Sequence, residues 1–255
     1  MISKVATLAA LLSVSLYAQA PAVKPAAPAA NATLPEARTI VERHIKAIGG
    51  REAILAHKSM HAAGTLSIPS SGITGPVDIY GAAPDRVLVR ASVGGIGEIV
   101  DAYDGAHAWS INPMTGPTLK TGKELEQTKL DADFYSELRD PKKYTMKTVE
   151  KTTFDGRDCY KVSIKRTDGS EDFDFYDVAT GLRAGSINTR ETQMGTMTVS
   201  NIETNYKKFG TLTQATTLTQ KVMGVEQRIT LDTVEYDKVE PSVFEPPATI
   251  KALIK

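Results

Sequence analysis

Two spacings of hydrophobic residues divide the chain. Between Leu34 and Gly50, Ala37, Ile40, Val41, His44, Ile45 and Ile48 recur at helical intervals, which predicts an amphipathic helix ended by Gly49-Gly50. Thr33 is expected to cap it, with Pro35 in the first turn. A helical turn is expected over 52–57. A second helix is predicted over Lys123–Leu138, where Leu125, Leu130, Phe134 and Leu138 are separated by charged residues and Pro141 marks the end. Elsewhere the apolar residues alternate in short runs between turn residues, the signature of strands. These runs lie near 60–68, 74–82 and 86–92, and later at about 196–208, 213–222 and 226–237.

The punctuation between runs sets the register. Asp104-Gly105, Asp155-Gly156, Asp168-Gly169 and Thr180-Gly181 each stand between β-prone segments, and Asp-Gly favours tight hairpins because glycine accepts positive φ. If Asp168-Gly169 is a two-residue loop, Ile164 faces Phe173 and Val162 faces Phe175, with Lys165–Asp172 and Ser163–Asp174 on the reverse, solvated side. The same rule at Asp155-Gly156 sets Val149 opposite Val162 and Cys159 opposite Thr152. A three-residue loop ending at Gly181 sets Ile187 opposite Phe173. At Asp104-Gly105 it pairs Val100 with Trp109 and Ala102 with His107, so Trp109 and Ile111 join the apolar side. His107 is then the available partner for the indole N–H.

Eleven or twelve such strands exceed what a flat sheet carries. The expected fold is mainly β (α+β): a curved antiparallel sheet forming an incomplete β-barrel, with helices covering the concave face. A two-sheet sandwich is the alternative.

Composition narrows the function. Thirty basic and thirty acidic residues balance, so nothing draws the chain to nucleic acid. Residues 1–20, MISKVATLAALLSVSLYAQA, read as a signal peptide, whose apolar run is too short to span a bilayer. Residues 21–33 read as an Ala/Pro-rich flexible linker and 34–255 as one domain. The expected location is the periplasm, in soluble form and with no transmembrane segment in the mature chain. The lone Cys159 forms no internal disulfide and lies far from any lipid-attachment site.

Candidate chemistry is sparse. His57 and His61 have the i, i+4 spacing of a metal pair, but Lys-Ser-Met between them supplies no base. No G-x-S-x-G elbow occurs, and Cys159 reads as a packed thiol. His107 could act as a base only without a carboxylate, since Asp104 is committed to the turn and Asp101 points away. The reading is therefore of no enzyme, no metal and no cofactor. What remains is an apolar stripe of Val100, Trp109, Ile111, Val149, Val162, Ile164, Phe173 and Phe175, with Ile40 and Ile45 on the helix above. It is either a plain core or the lining of a hydrophobic cavity.

Four segments in order, LPEARTIVERHIKAIGG, YDGAHAWSINPMTGP, YKVSIKRTDGSEDFDFYDVATGL and VEYDKVEPSVFEPP, resemble the exported LolA/LolB-like lipoprotein-sorting superfamily. The resemblance implies an incomplete barrel with helices across its mouth, holding acyl chains in its hollow. The partner it implies is a lipid or acylated protein. The alternative is a regulatory or scaffolding module recognising an envelope protein. It also implies an arginine on an early strand that holds the lid, for which Arg86 and Arg90 are the available residues. Leu212-Thr213 stands where Leu-Pro is common in that superfamily.

Overall fold

The computed structural model describes residues 33–192 and 195–254. The expected signal peptide and almost all of the linker lie outside these residues. Helix α1 (Ala37–Ala47) and α2 (Arg51–Ala56) precede strands β1 (Ser59–Ile68), β2 (Ile73–Ala82), β3 (Arg86–Val93), β4 (Gly97–Tyr103), β5 (Ala108–Asn112) and β6 (Gly116–Leu119). Helix α3 (Gly122–Asp131) and a 3-10 turn, Ser136–Leu138, lead into β7 (Tyr144–Phe154), β8 (Arg157–Arg166), β9 (Glu171–Asp177) and β10 (Arg183–Thr192). Then come β11 (Gly195–Phe209), β12 (Leu212–Val222), β13 (Val225–Tyr236), a 3-10 turn at Pro241–Phe244 and α4 (Ala248–Lys251). Among the described residues no helix is long and apolar enough to cross a membrane.

All thirteen strands join one antiparallel sheet, ordered β6-β5-β4-β3-β2-β1-β13-β12-β11-β10-β9-β8-β7. The two ends, β6 and β7, do not pair, so the architecture is the expected incomplete barrel. The strand that patterning missed is β6, four residues that include Pro117; proline is tolerated on an edge strand. Helix α1 starts at Ala37 with Glu36 as its N-cap residue and no side-chain cap, so Thr33 does not cap it. The predicted second helix breaks after Asp131 and resumes only as the 3-10 turn at Ser136.

Register decides which face each side chain takes, and one turn differs from expectation in a way that exchanges faces. At Asp155-Gly156 both residues have positive φ, 48° and 74°, giving the two-residue loop and the Thr152–Cys159 pair. At Asp168-Gly169 only the glycine has positive φ, 86°. Arg166 N donates to Ser170 O and Gly169 N to Arg166 O, so the loop holds Thr167, Asp168 and Gly169. The extra residue shifts the hairpin by one: Ile164 pairs with Asp172, Val162 with Asp174 and Ser163 with Phe173. A one-residue slip exchanges the two faces of a strand. Asp172 and Asp174 are thus turned inward and Phe173 and Phe175 outward, contrary to the sequence reading.

The other turns keep their expected faces. Phe173 does pair with Ile187, by way of a longer loop and a bulge between Arg183 and Gly185. At the β4–β5 hairpin the loop is Gly105-Ala106 rather than Asp104-Gly105, because Asp104 N donates to His107 O; Ala102 therefore pairs with Trp109 and Val100 with Ile111, in place of the expected Val100–Trp109 and Ala102–His107 pairs. Val149 is displaced from Val162 by a bulge between Thr148 and Glu150 and is 40% exposed.

Candidate functional site

Following cross-strand partners identifies the inner face. Val162 leads to Asp174, then Ser186, Asn201, Gln220 and Gln227. On the other limb Ala62 leads to Ile79, Val89 and Asp101. The inner face has two chemically distinct halves.

The first half is an apolar floor. Met60, Ala62, Leu66, Val77, Ile79, Val89, Ala91, Val93, Ile99, Leu218, Ile229, Leu231 and Val234 form one buried cluster supplied by β1–β4, β12 and β13. Among the described residues, the segment after α3 reaches this floor only through Phe134 and Tyr135. Gly81 lies against Phe134, where a Cβ would stand 3.4 Å from its ring.

The second half lies under the cover formed by α1, α3 and the Ser136–Leu138 turn. Here Ile40 and Ile45 pack with Val162 and Ile164. Charge surrounds them. Arg183 on β10, 3% exposed, donates to Glu137 of the cover at 2.6 and 3.0 Å and to Glu203 of β11 at 2.9 Å. Arg139 pairs with Asp174, which also accepts from Tyr176 Oη at 3.0 Å. Arg166 and Arg190 share Asp172, at 2.7 and 3.2 Å, and both reach Asp131 at the end of α3, at 2.8 and 3.5 Å. Burial opposes ionisation of Glu137, yet Arg183 holds its carboxyl well below the usual range. Burial and the neighbouring Glu203 carboxylate push the Tyr206 phenol well up, so it stays a neutral donor to Glu203 at 2.7 Å.

These pairs tie cover to sheet. Arg38 of α1 donates to the carbonyls of Leu138 and Arg139. Thr213 N donates to Ile48 O at 2.9 Å, joining the end of α1 to β12. A proline at 213 could not make that bond, which gives the Leu212-Thr213 departure a physical role. Arg86 and Arg90 do not fill the lid-holding role: both are exposed, and Arg90 pairs with Glu98. Beneath His44 lies a polar cavity of about 10 Å³, lined in part by Glu137, Arg183, Glu203 and Tyr206, room for one water. His44 Nδ1 is buried without a partner among the described residues.

Of the remaining stripe residues Val149 is exposed at the β7 bulge and the others lie on the outer face. Trp109 and Val100 pack with Leu88, Phe244 and Ile250, with Ile111 at the margin. Phe175 stacks on Phe154 at 4.1 Å beside Cys159, and Phe173 lies at the edge of that cluster. Burial pushes the Cys159 thiol up to about 11, which favours the protonated thiol at neutral pH. Trp109 Nε1 is buried without a partner among the described residues; His107 instead lies 3.5 Å from Asp104. His57 and His61 take separate partners, Asp237 and Asp78, and stack on different tyrosines. Since Trp109 sits under the C-terminal segment, Ile250→Ala should cost about 2 kcal/mol, the low end for a terminal element able to close the gap. It should also red-shift tryptophan emission, which urea titration and fluorescence spectra would check.

The sequence missed the buried charges because one turn was assigned a residue too few. Their one legible sign was the Asp/Phe alternation of β9, which fits either face.

No family model matches the chain, and no curated protein matches it. Solved structures do. A DUF1329 family protein from Desulfovibrio piger ATCC 29098 aligns with TM-score 0.55 at 12% identity, over 83% of this chain and 98% of that one. A LolA superfamily protein from Nitrosomonas europaea aligns with TM-score 0.55 at 11% identity, over 84% of this chain and 99% of that one. The chain therefore has a LolA-like fold.

Proposed function

We propose that this protein is a non-enzymatic periplasmic carrier that holds acyl chains of a lipid or an acylated protein against the inner floor of its half-barrel. The observation that carries the reading is the apolar floor itself: a cluster supplied by six strands that the described cover meets with only Phe134 and Tyr135. Burying methylenes is worth about 0.8 kcal/mol each, so a chain of about sixteen carbons gains on the order of 12 kcal/mol before ordering costs. Val162, Ile164, Ile40 and Ile45 serve as the anchorage of the cover beside that chain. Val100, Trp109, Ile111, Val149, Phe173 and Phe175 fall outside the proposed cavity. The cover is held by this apolar anchorage and by ion pairs rather than by filling the floor, which lets it open without dismantling the sheet.

Native mass spectrometry of protein purified gently from the envelope should show co-purified mass of acyl-chain lipids. Leu218→Asp should abolish that mass, because it sets a carboxylate in the floor. Trp109 emission should not respond to ligand. A protein that stays ligand-free and takes up no long-chain ligand at saturation would overturn the proposal.

A further inference from the structure

One cross-strand row of the inner face breaks the apolar pattern. Ser186, Asn201, Gln220 and Gln227 are successive partners across β10, β11, β12 and β13. The next row includes Leu66, Leu218 and Ile229 of the floor. The amides form a directed chain: Gln220 Nε2 donates to Asn201 Oδ1 at 3.1 Å, and Asn201 Nδ2 donates to Asn188 Oδ1 at 2.9 Å. Ser186 Oγ donates to the same Asn188 oxygen at 2.7 Å. At the far end Gln227, 6% exposed, has an Nε2 with no partner among the described residues. It shares its face with Ile229, two residues along β13, so its amide belongs to the hollow.

A buried donor without an acceptor is costly unless something fills it. Beyond Asp174 at the β9 end, which Arg139 compensates, no formal charge stands in the row, which disfavours a phosphate or carboxylate, since an anion buried there would lack a counter-charge. The nearby Arg190 is itself paired with Asp172 and Asp131. We propose that this row is a polar subsite within the hollow, where Gln227 donates to an uncharged carbonyl joining an acyl chain to the rest of the ligand. The ligand class is thus the acyl ester or acyl amide, not the free fatty acid. The inference rests on the carrier reading above and adds the linkage it recognises.

Three ligands with one hexadecyl-length chain test it by calorimetric titration: monopalmitoylglycerol, an N-palmitoyl peptide and the hexadecyl ether of glycerol. The first two represent lipid and acylated-protein sources, and the third lacks the carbonyl. Wild type should bind at least one carbonyl ligand about fivefold to tenfold more tightly than the ether, the worth of one net hydrogen bond. Which one separates the sources. Gln227→Met keeps the length of the side chain and removes the donor, and should erase that preference while leaving ether affinity unchanged. If all three bind alike to wild type, or Gln227→Met weakens all three equally, the subsite falls and the carrier reading stands. If none binds, both fall.

Discussion

Replacing Arg183 with methionine should lower stability by about 3–5 kcal/mol at neutral pH, and Tm by roughly 10 °C. The guanidinium is nearly inaccessible and is the shared partner of Glu137 and Glu203. Methionine fills similar space but leaves those carboxylates without their cation. In wild type the Glu137 carboxyl sits well below its ordinary 4.5, against burial, because Arg183 is beside it. A depressed carboxylate contributes stability above its unfolded value and loses it only as pH falls through the folded value. Wild-type stability should therefore vary little on this account between pH 7 and 5. In the variant burial, the largest influence on this carboxyl, outweighs the remaining His44 contact at 3.4 Å and raises the folded value above 4.5, so stability is lost as pH rises and regained on acidification. Urea unfolding at both pH values would show the deficit narrowing at pH 5; a deficit independent of pH would sink the argument. Adding Glu137→Gln to the variant should recover part of the loss at pH 7, since a neutral amide replaces one uncompensated charge.

The division of charge between cover and sheet has a functional consequence. Glu137 and Asp131 belong to the cover, whereas Arg183, Arg166 and Arg190 belong to strands β10 and β8. Buried ion pairs contribute little net stability relative to well-packed apolar contacts, but they are exacting in geometry. A cover fixed in this way has a defined closed position without drawing its holding energy from the apolar floor. Exposed to water, the same arginines and carboxylates are solvated, so opening costs less than separating an equal area of hydrocarbon.

How much of this was legible in the sequence depended on the turns. Strands β11 to β13 and their limits follow from alternation, and the Asp155-Gly156 loop gives the Cys159–Thr152 pair directly. The helix over 37–47 is legible because Val41 and Ile45 must share one buried side. The same dipeptide at Asp168-Gly169 builds a different loop, since Asp168 keeps an ordinary φ while Gly169 takes the left-handed conformation. Ser170 supports that shape: its N–H and Oγ both donate to Asp168 Oδ1. Nothing in the local pattern distinguishes the two loops, and every face assignment in β9 depends on the choice. Alternation sets Trp109 on one face with Val100, Ala102 and Ile111, as found, but opposite Val100 where the structure has Ala102, and on the wrong side of the sheet, because turn-by-turn pairing fixes relative faces and not which one the helices cover.

The register of that hairpin yields the second large effect. Asp174→Asn should cost about 3–5 kcal/mol, whereas Phe173→Ala should cost about 1 kcal/mol. Asp174 is 3% exposed and pairs with Arg139, which is 1% exposed; the amide keeps the shape but removes the charge that compensates a buried guanidinium. Phe173 is only half-buried on the outer face, with Lys161 Nζ 4.6 Å from its ring centroid. Its truncation therefore loses partial burial and a solvated cation–π contact. A two-residue loop at Asp168-Gly169 predicts the reverse order, with a core phenylalanine costing about 3–5 kcal/mol and a surface aspartate within about 0.5 kcal/mol. Denaturant titration of the two variants distinguishes the registers by the sign of their difference. Asp174→Asn unfolding at lower denaturant than Phe173→Ala places the carboxylates of β9 beneath the cover, where they hold Arg139 and Arg166; the opposite order would return them to solvent and remove the charged half of the inner face.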